Sequence, residues 1–412
     1  MTTTHLQFSC FLGRRVHLGV TGSIAAYKSL ELLRLLRQCQ VAVSATLTDS
    51  AQHFVGAESF RALGADPVTT SMFGAGAGDT PFAHLAPGQS ASALVIAPAT
   101  ASILAKLAHG LADDLLSTQA LAFGGPLLLA PAMNPAMWNA PATQANWQTL
   151  LKRGAIGIGP AVGGVACGDT GQGKLSPVEH IFANVLRALS PKDLDGKTVL
   201  VTLGPTREKW DAVRYISNPS SGLMGACLAT AAWMRGARVR VVAGPTELDF
   251  PPGIEVIPVT SAREMLDACQ DLWSDTDLAC CTAAVCDFRP HLPESVDPAR
   301  KLKKRDMATG ELLLRLTENP DILRTLGEQK RADQVLIGFA AETEDLAGQA
   351  RLKLAEKNLD LIVANLVGVP GSGFDSDTNT VTVLDRTGRM EQWPELPKTE
   401  VAWRVWDLLR HL

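Results

Sequence analysis

The chain has 412 residues, too many for one ordinary hydrophobic core and suited to two or three domains. With 46% hydrophobic and 19% charged residues it can bury substantial cores and does not have the composition of a disordered chain, and a net charge of −4 argues against a surface built for polyanions, so nucleic acid is not the default partner. No stretch approaches the ~20 apolar residues needed to cross a bilayer, MTTTHLQFSCFLGRR lacks the basic-then-apolar order of a signal peptide, and eight cysteines without a Cys-x-x-Cys pair read as reduced thiols, so the expectation is a cytoplasmic protein with no membrane partner.

In chain order, RRVHLGVTGSIAAYKSLELLRLL from Arg14 reads as an apolar strand, a Gly-containing turn and a helix. Strands follow at Val41–Leu47, Leu94–Ala97 and Leu127–Ala130, the last two stopped by Pro98 and Pro131, with helices around Ala101–Ala108 and Thr143–Lys152. This alternation predicts a parallel sheet covered by helices on both faces. Seven glycines between Ile156 and Gly173 predict a mobile loop or lid. A helix from Pro177 to Leu189 and the polar segment SPKDLDGK put a domain boundary near Pro191, giving domains 1–190 and 191–412.

The second half restarts the pattern with Thr198–Leu203, a helix over Leu223–Arg235 and Val239–Ala243. Ser261 and Glu264 have capping-box spacing and open a helix that ends near Trp273. Leu278–Cys281, Val335–Phe339 and Leu361–Ala364 complete a second parallel set, and a packing helix closes the chain. Cys280, Cys281 and Cys286 lie in the apolar run LACCTAAVCDF and read as core thiols rather than metal ligands.

The turn Gly19-Val-Thr-Gly22-Ser23-Ile24 lacks the G-x-G-x-x-G spacing, and the second strand ends in Thr48 rather than an acidic residue that would grip a ribose, so NAD is disfavoured. A mononucleotide phosphate at the helix start fits better. Thr100 and Ser102 lie beyond one strand end and Asn134 beyond another, so polar groups converge on one rim. VTGSIAAYK, APATASILAKLAHGLADDLL, PAMNPAM and ACGDTGQGKL together resemble the flavin-dependent cysteine decarboxylases, and within them the phosphopantothenoylcysteine decarboxylases.

That resemblance implies a flavodoxin-like domain with FMN, its phosphate received by Gly22, Ser23 and Ile24, with Thr48 and Ser50 nearby and Thr100 and Ser102 on the flavin side. It implies that flavin oxidises the substrate's thiol to a thioaldehyde, that carbon dioxide leaves, and that the resulting enethiolate is protonated and reduced. His84 matches the family's active-site base, Asn134 the residue that hydrogen-bonds the departing carboxylate, and Cys167 the group that completes reduction of the enethiolate. A flavin-binding regulatory protein on the same fold is the alternative, and the joint presence of His84, Asn134 and Cys167 argues against it.

In the second half GPTREKWDAVRYISNPSSGLMGACLA carries Arg207, Arg214, Asn218, Ser220 and Ser221 in a loop before a helix, polar groups suited to an anionic substrate. With AAVCDF, RKLKK, ENPDIL, GFAAET and KNLDLIVAN, this block resembles phosphopantothenoylcysteine synthetase, and its fusion behind the decarboxylase is the bacterial arrangement that makes 4′-phosphopantetheine. The resemblance implies a Rossmann-like ligase that uses CTP with Mg2+, forms an acyl-cytidylate with 4′-phosphopantothenate and lets cysteine displace CMP. Cys281, Thr282, Ala283, Asp287, Lys301, Asn319, Pro320, Asp321, Ile322, Phe339, Lys353 and Lys357 match its nucleotide contacts, and Asn218 the residue tied to turnover of the acyl-cytidylate. Lys353 and Lys357, four apart on one helix, share a face. Leu203 and Leu223 depart from the family's pattern, which has a small and a polar residue there. The resemblance also implies a homo-oligomer of decarboxylase trimers joined through ligase dimers.

Overall fold

The computed structural model describes residues 4–73, 82–291, 301, 313–342, 346–366 and 376–409. They divide into two compact units, Gln7–Ser190, and Pro191–Leu412 together with Met1–Leu6.

In the first unit β1 (Arg15–Val20), β2 (Ala42–Leu47), β3 (Ala65–Thr69), β4 (Ala93–Ala99), β5 (Leu127–Pro131) and β6 (Ile156–Gly157) form one sheet in the order β3-β2-β1-β4-β5-β6, with every pairing parallel. This is the six-strand doubly wound order, and the reversal of direction between β1 and β4 opens a crevice at the carboxyl ends of those strands. Near-continuous burial along β1, β2 and β4 follows from helices lying on both faces. β4 runs through Pro98 to Ala99, and β5 includes Pro131, so neither strand stops short of its proline. Pro98 has no N–H to donate, and it sits where the β4–β5 register shifts between Ile96 and Ala99. The sequence pattern does not reveal β3, an edge strand whose ADPVT carries the polar Asp66 and a proline.

The glycine-rich stretch is not an irregular loop. Past β6 it forms an antiparallel hairpin of β7 (Ala161–Gly164) and β8 (Thr170–Lys174), tipped by Val165-Ala-Cys167-Gly-Asp169.

The second unit has β9 (Thr198–Leu203), a small hairpin of β10 (Arg207–Lys209) and β11 (Tyr215–Ser217), β12 (Arg238–Ala243), β13 (Glu255–Pro258) and β14 (Leu278–Cys281). A second small hairpin of β15 (Phe288–Pro290) and β16 (Leu316–Glu318) precedes β17 (Val335–Glu342), β18 (Leu361–Leu366), β19 (Thr378–Asp385) and β20 (Met390–Pro397). The main sheet runs β13-β12-β9-β14-β17-β18-β19-β20. It is parallel through β18 and antiparallel at its last two strands, which the expectation of a purely parallel set omitted. Here the reversal falls between β9 and β14. The capping box at Ser261 and Glu264 is formed at the start of the helix Ala262–Trp273. Arg235 ends the helix Leu223–Met234 with a fully buried guanidinium, bound to Asp193 and, at 2.8 Å, to Asp407. Its Nη1 also donates to the Trp403 carbonyl at 3.2 Å, so the segment leading into β9, this helix and the last helix share one cation.

A buried polar chain crosses the first unit. Gln119 gives its Nε2 hydrogen to the Ala83 carbonyl at 3.0 Å, so its Oε1 faces His17 Nε2 at 3.2 Å. That oxygen only accepts, hence the imidazole hydrogen is on Nε2 and Nδ1 accepts from Ser44 Oγ at 2.9 Å. Burial pushes the His17 imidazole down to about 4 from 6.5, with the Gln119 contact opposing only in part. The unfolded chain therefore takes up a proton below pH 6.5 that the folded chain refuses, and stability falls as pH drops from 6.5 towards 4. Protonation of this one group removes about 3 kcal/mol over that window. Denaturant titrations at pH 7 and pH 4.5 should show a smaller loss for His17→Gln than for the wild type, and equal losses would refute this.

Candidate active sites

In the first unit one hydroxyl bridges the two strand ends at the mouth of the crevice. Thr21, the residue after β1, donates through Oγ1 to the Pro98 carbonyl at 2.7 Å and accepts from the Thr100 N–H at 3.1 Å. Three chain segments then start helices around this point. Ser23 caps the turn Ile24–Tyr27, Thr48 caps Asp49–Gln52 and Thr100 caps Ala101–His109. Each hydroxyl accepts a backbone N–H, from Ala25, Ala51 and Ile103 respectively, and so keeps its own hydrogen to donate. Gly22 lies so close to the Asp49–Gln52 segment that a Cβ on it would fall 2.4 Å from that of Ser50. Gly22, Ser23 and Ile24 are thus brought against Ser50 and Thr48, while Ser102 is exposed on the first turn after Thr100. Orphan N–H groups, free hydroxyl hydrogens and a bare glycine backbone make a donor set that fits a phosphate monoester.

On the same carboxyl-end rim, Asn134 follows β5, whose next residue is tied back when the Ala132 N–H donates to the Ala99 carbonyl at 3.1 Å. The β7–β8 hairpin is laid against this turn, because the Met133 N–H donates to the Gly173 carbonyl at 2.9 Å. Contact is so close that a Cβ on Gly173 would stand 2.4 Å from the Met133 oxygen, which is why this strand is glycine-rich. The hairpin tip brings Cys167 to Asn134, with Nδ2 to Sγ at 3.2 Å, and Asp169 to the same nitrogen at 2.5 Å. Cys167 and Asp169 are exposed. His84 is half-buried in a turn after Phe82, whose ring meets it edge-on at 6.3 Å. Among the described residues it makes no hydrogen bond to Asn134 or Cys167. The turn is held by the Gln119 bond to Ala83.

In the second unit the reversal between β9 and β14 opens into a cavity of 690 Å3. Asn218, Cys281, Ala283, Asp287, Asn319, Pro320, Asp321, Ile322, Phe339, Lys353 and Lys357 all line it, so these expected residues are brought together from five separate segments. Thr282 faces an adjoining cavity of 130 Å3 that shares Ala283 and Phe339 and is also lined by Ser220, Ser221 and Leu223. Lys301 is exposed and outside both linings, and Lys303 and Lys304 lie outside the described residues. Neither Arg207 nor Arg214 is in the lining of these two cavities: Arg207 stacks over the Tyr215 ring at 4.8 Å and Arg214 pairs with the buried Asp211 carboxylate at 3.1 Å. Leu203 is fully buried.

Asn218 spans the strand reversal, its Nδ2 donating to the Ala284 and Val285 carbonyls at 3.3 and 3.0 Å. Asn319 does the same for the Cys286 carbonyl at 2.8 Å. Lys357 pairs with Asp321 at 2.8 Å. Burial works against ionisation of Asp321, but the Lys357 ammonium and the Arg324 N–H outweigh it and hold the carboxyl below its ordinary range. Burial pushes the Cys281 thiol up to about 12 and raises Cys280 and Cys286 as well, so these are inert core thiols. No cluster of three His, Cys, Asp or Glu side chains with metal-site geometry occurs among the described residues, and no helix among them is long and apolar enough to cross a membrane.

Residues 9–190 match the flavoprotein family, and residues 194–412 match the C-terminal domain of the DNA/pantothenate metabolism flavoproteins. The coenzyme A biosynthesis bifunctional protein CoaBC of Bacillus subtilis is 41% identical over 396 residues, 95% of this chain and 95% of that protein. Its counterpart in Vibrio cholerae is 40% identical over 397 residues, 96% of this chain and 98% of that protein. The chain belongs to this family. Among solved structures, the C-terminal domain of a CoaBC protein is similar at 38% identity over 53% of this chain and 97% of its own, with a TM-score of 0.45.

Three residues that form or support this rim escaped the sequence reading. Thr21 lies inside the quoted VTGSIAAYK and Asp169 inside ACGD, so both were in view without a role. Gln119 had no local signal, because its two partners are 102 and 36 residues away. The tight seam between hairpin and rim makes Gly173 sensitive: Gly173→Ala must push the Met133 carbonyl aside and should lower stability by about 1–3 kcal/mol, as overpacking does. Thermal denaturation would measure it, and an unchanged midpoint would show that the seam can give.

Proposed function

We propose that the second unit joins 4′-phosphopantothenate to cysteine with CTP, through an acyl-cytidylate, and that the first decarboxylates the product to 4′-phosphopantetheine. Membership of the family makes the chain a bifunctional enzyme of coenzyme A biosynthesis, a flavin-dependent decarboxylase followed by a ligase. The observation that carries the residue assignment is the meeting of Asn134 and Cys167, 33 residues apart, on the rim whose crevice fits a phosphate. On this reading residues 1–190 are the decarboxylase and 191–412 the ligase.

FMN, held by Gly22, Ser23, Ile24, Thr48, Ser50, Thr100 and Ser102, supplies the two-electron acceptor and donor of the decarboxylation. The chain's own residues do the rest. His84 takes the proton that must leave as the substrate's thiol is oxidised. Asn134 offers amide hydrogens to the substrate carboxylate without adding a charge that would hold it back. Cys167 holds a proton on Sγ within reach of the Asn134 amide and delivers it to the enethiolate.

In the ligase, Lys353 and Lys357 bring positive charge to the cavity where a triphosphate would sit, and Asp287 is a carboxylate on the same wall for the Mg2+ that accompanies it. Asn319, Asp321 and Phe339 shape the nucleotide's side of the cavity, and Asn218 pins the Ala284–Val285 loop beside which the substrate's carboxyl would react. The smaller cavity beside Ser220 and Ser221 is open to the acid substrate. We place the enzyme in the cytoplasm as a homo-oligomer, trimeric through the decarboxylase and dimeric through the ligase.

Purified protein with 4′-phosphopantothenate, cysteine, Mg2+ and CTP should yield 4′-phosphopantetheine by mass spectrometry, with ATP a poorer replacement, and absence of both it and phosphopantothenoylcysteine would overturn the reading. Cys167→Ser should still release carbon dioxide but accumulate the unsaturated thiol, whereas a normal yield of saturated product would sink its role. Asn218→Asp places an acceptor against two carbonyl oxygens, and ligase turnover should fall on the order of 100-fold while decarboxylation of added phosphopantothenoylcysteine is unchanged. Equal ligase rates would count against it.

A further inference from the structure

Asn134 has no amide hydrogen left to donate. Its Oδ1 accepts the Ala136 N–H at 2.8 Å, and because a backbone N–H can only donate, this contact fixes which way the amide faces. Nδ2 therefore points at the hairpin tip, where its hydrogens go to Asp169 Oδ2 at 2.5 Å and to Cys167 Sγ at 3.2 Å. The thiol in turn lies 3.5 Å from the same Asp169 oxygen. An amide nitrogen carries two hydrogens, and both are engaged.

A substrate carboxylate that is to be held by Asn134 must take one of these places. It carries the same group and the same charge as Asp169, and two carboxylates on one nitrogen repel each other. We propose that Asp169 is a positioning residue of the decarboxylase that keeps the place of the substrate's carboxylate: it holds the Asn134 amide and the Cys167 thiol aligned before substrate arrives, and is displaced from Asn134 when the substrate binds. The geometry of Asp169 supports this. It sits two residues from Cys167, and its carbonyl accepts the Val165 N–H at 2.9 Å, so the tip is a closed turn that carries thiol and carboxylate together. Displacing the carboxylate therefore also shifts the thiol, which couples binding of the carboxylate to placement of the proton donor.

The inference rests on the decarboxylase reading above, and the test separates the two. Without the competing anion, Asp169→Asn and Asp169→Ala should bind 4′-phosphopantothenoylcysteine more tightly, with KM lower by about tenfold and kcat reduced. The product 4′-phosphopantetheine keeps the phosphate and lacks the carboxylate, so its inhibition constant should stay within about twofold. A disrupted hairpin would instead raise KM, and a loss of negative charge felt at long range would move both constants together. Either result, or an unchanged KM in both variants, overturns the role of Asp169. Failure of the wild-type protein to decarboxylate at all would overturn the underlying reading. Far-ultraviolet circular dichroism and flavin absorbance confirm that each variant is folded, and the aspartate-to-asparagine change keeps the side chain's shape.

Discussion

In a doubly wound sheet everything depends on how two adjacent parallel strands are held where their connections part to opposite sides. The backbone ladder stops there, and whatever replaces it decides whether a ligand finds an open crevice. The two units meet this constraint differently. In the first, the ladder between β1 and β4 ends at Gly19 and Ile96, and the Thr21 hydroxyl takes over with one bond to the Pro98 carbonyl and one from the Thr100 N–H. In the second, the backbones stay paired past the strand ends: the Ala284 N–H donates to the Gly204 carbonyl at 2.9 Å, and Pro205 and Ala284 form an isolated parallel bridge. The first crevice is therefore rimmed by helix starts, which suits a phosphate. The second is pushed outward into a walled cavity that Asn218 and Asn319 pin to the strand loop.

The sheet cores were legible because periodicity reports burial directly. Thr198–Leu203 and Leu278–Cys281 are observed with the bounds their apolar runs predict, and the capping box at Ser261 fixes its helix start to the residue. Elements that fail this rule are those whose pattern serves another purpose. β3 is an edge strand carrying Asp66 and Pro67, and β6 is two residues long. Composition misled most at the hairpin. Glycine there does not signal freedom but the opposite, since a Cβ on Gly173 would strike the Met133 oxygen that the strand is bonded beside.

The same distinction separates site residues that sequence could place from those it could not. Asn134 and Cys167 belong to short motifs whose chemistry is visible residue by residue, and folding brings them together. Arg207 and Arg214 carried the right charge for an anion, but the structure commits one to Tyr215 and the other to Asp211. Charge in a sequence is a capacity, and local partners decide how it is used. Gln119 is the converse case, an uncharged residue inside a helix that ties the His84 turn to β1 only because His17 and Ala83 converge on it.

The ligase cavity shows how such commitments can serve a site rather than exhaust it. Lys357 is paired with Asp321, yet an ammonium has three hydrogens and a carboxylate 2.8 Å away satisfies one. Asp321 is itself anchored, since its Oδ1 accepts the Arg324 N–H at 3.0 Å as the cap of the helix Ile322–Glu328. A lysine tethered to a capped carboxylate keeps its charge aimed into the cavity without the entropy cost of ordering a free four-carbon stem at each encounter. The carboxylate's depressed titration keeps that tether intact across the neutral range, because both contacts favour its charged form. A phosphate entering the cavity then meets a cation that is already oriented and still has hydrogens to give.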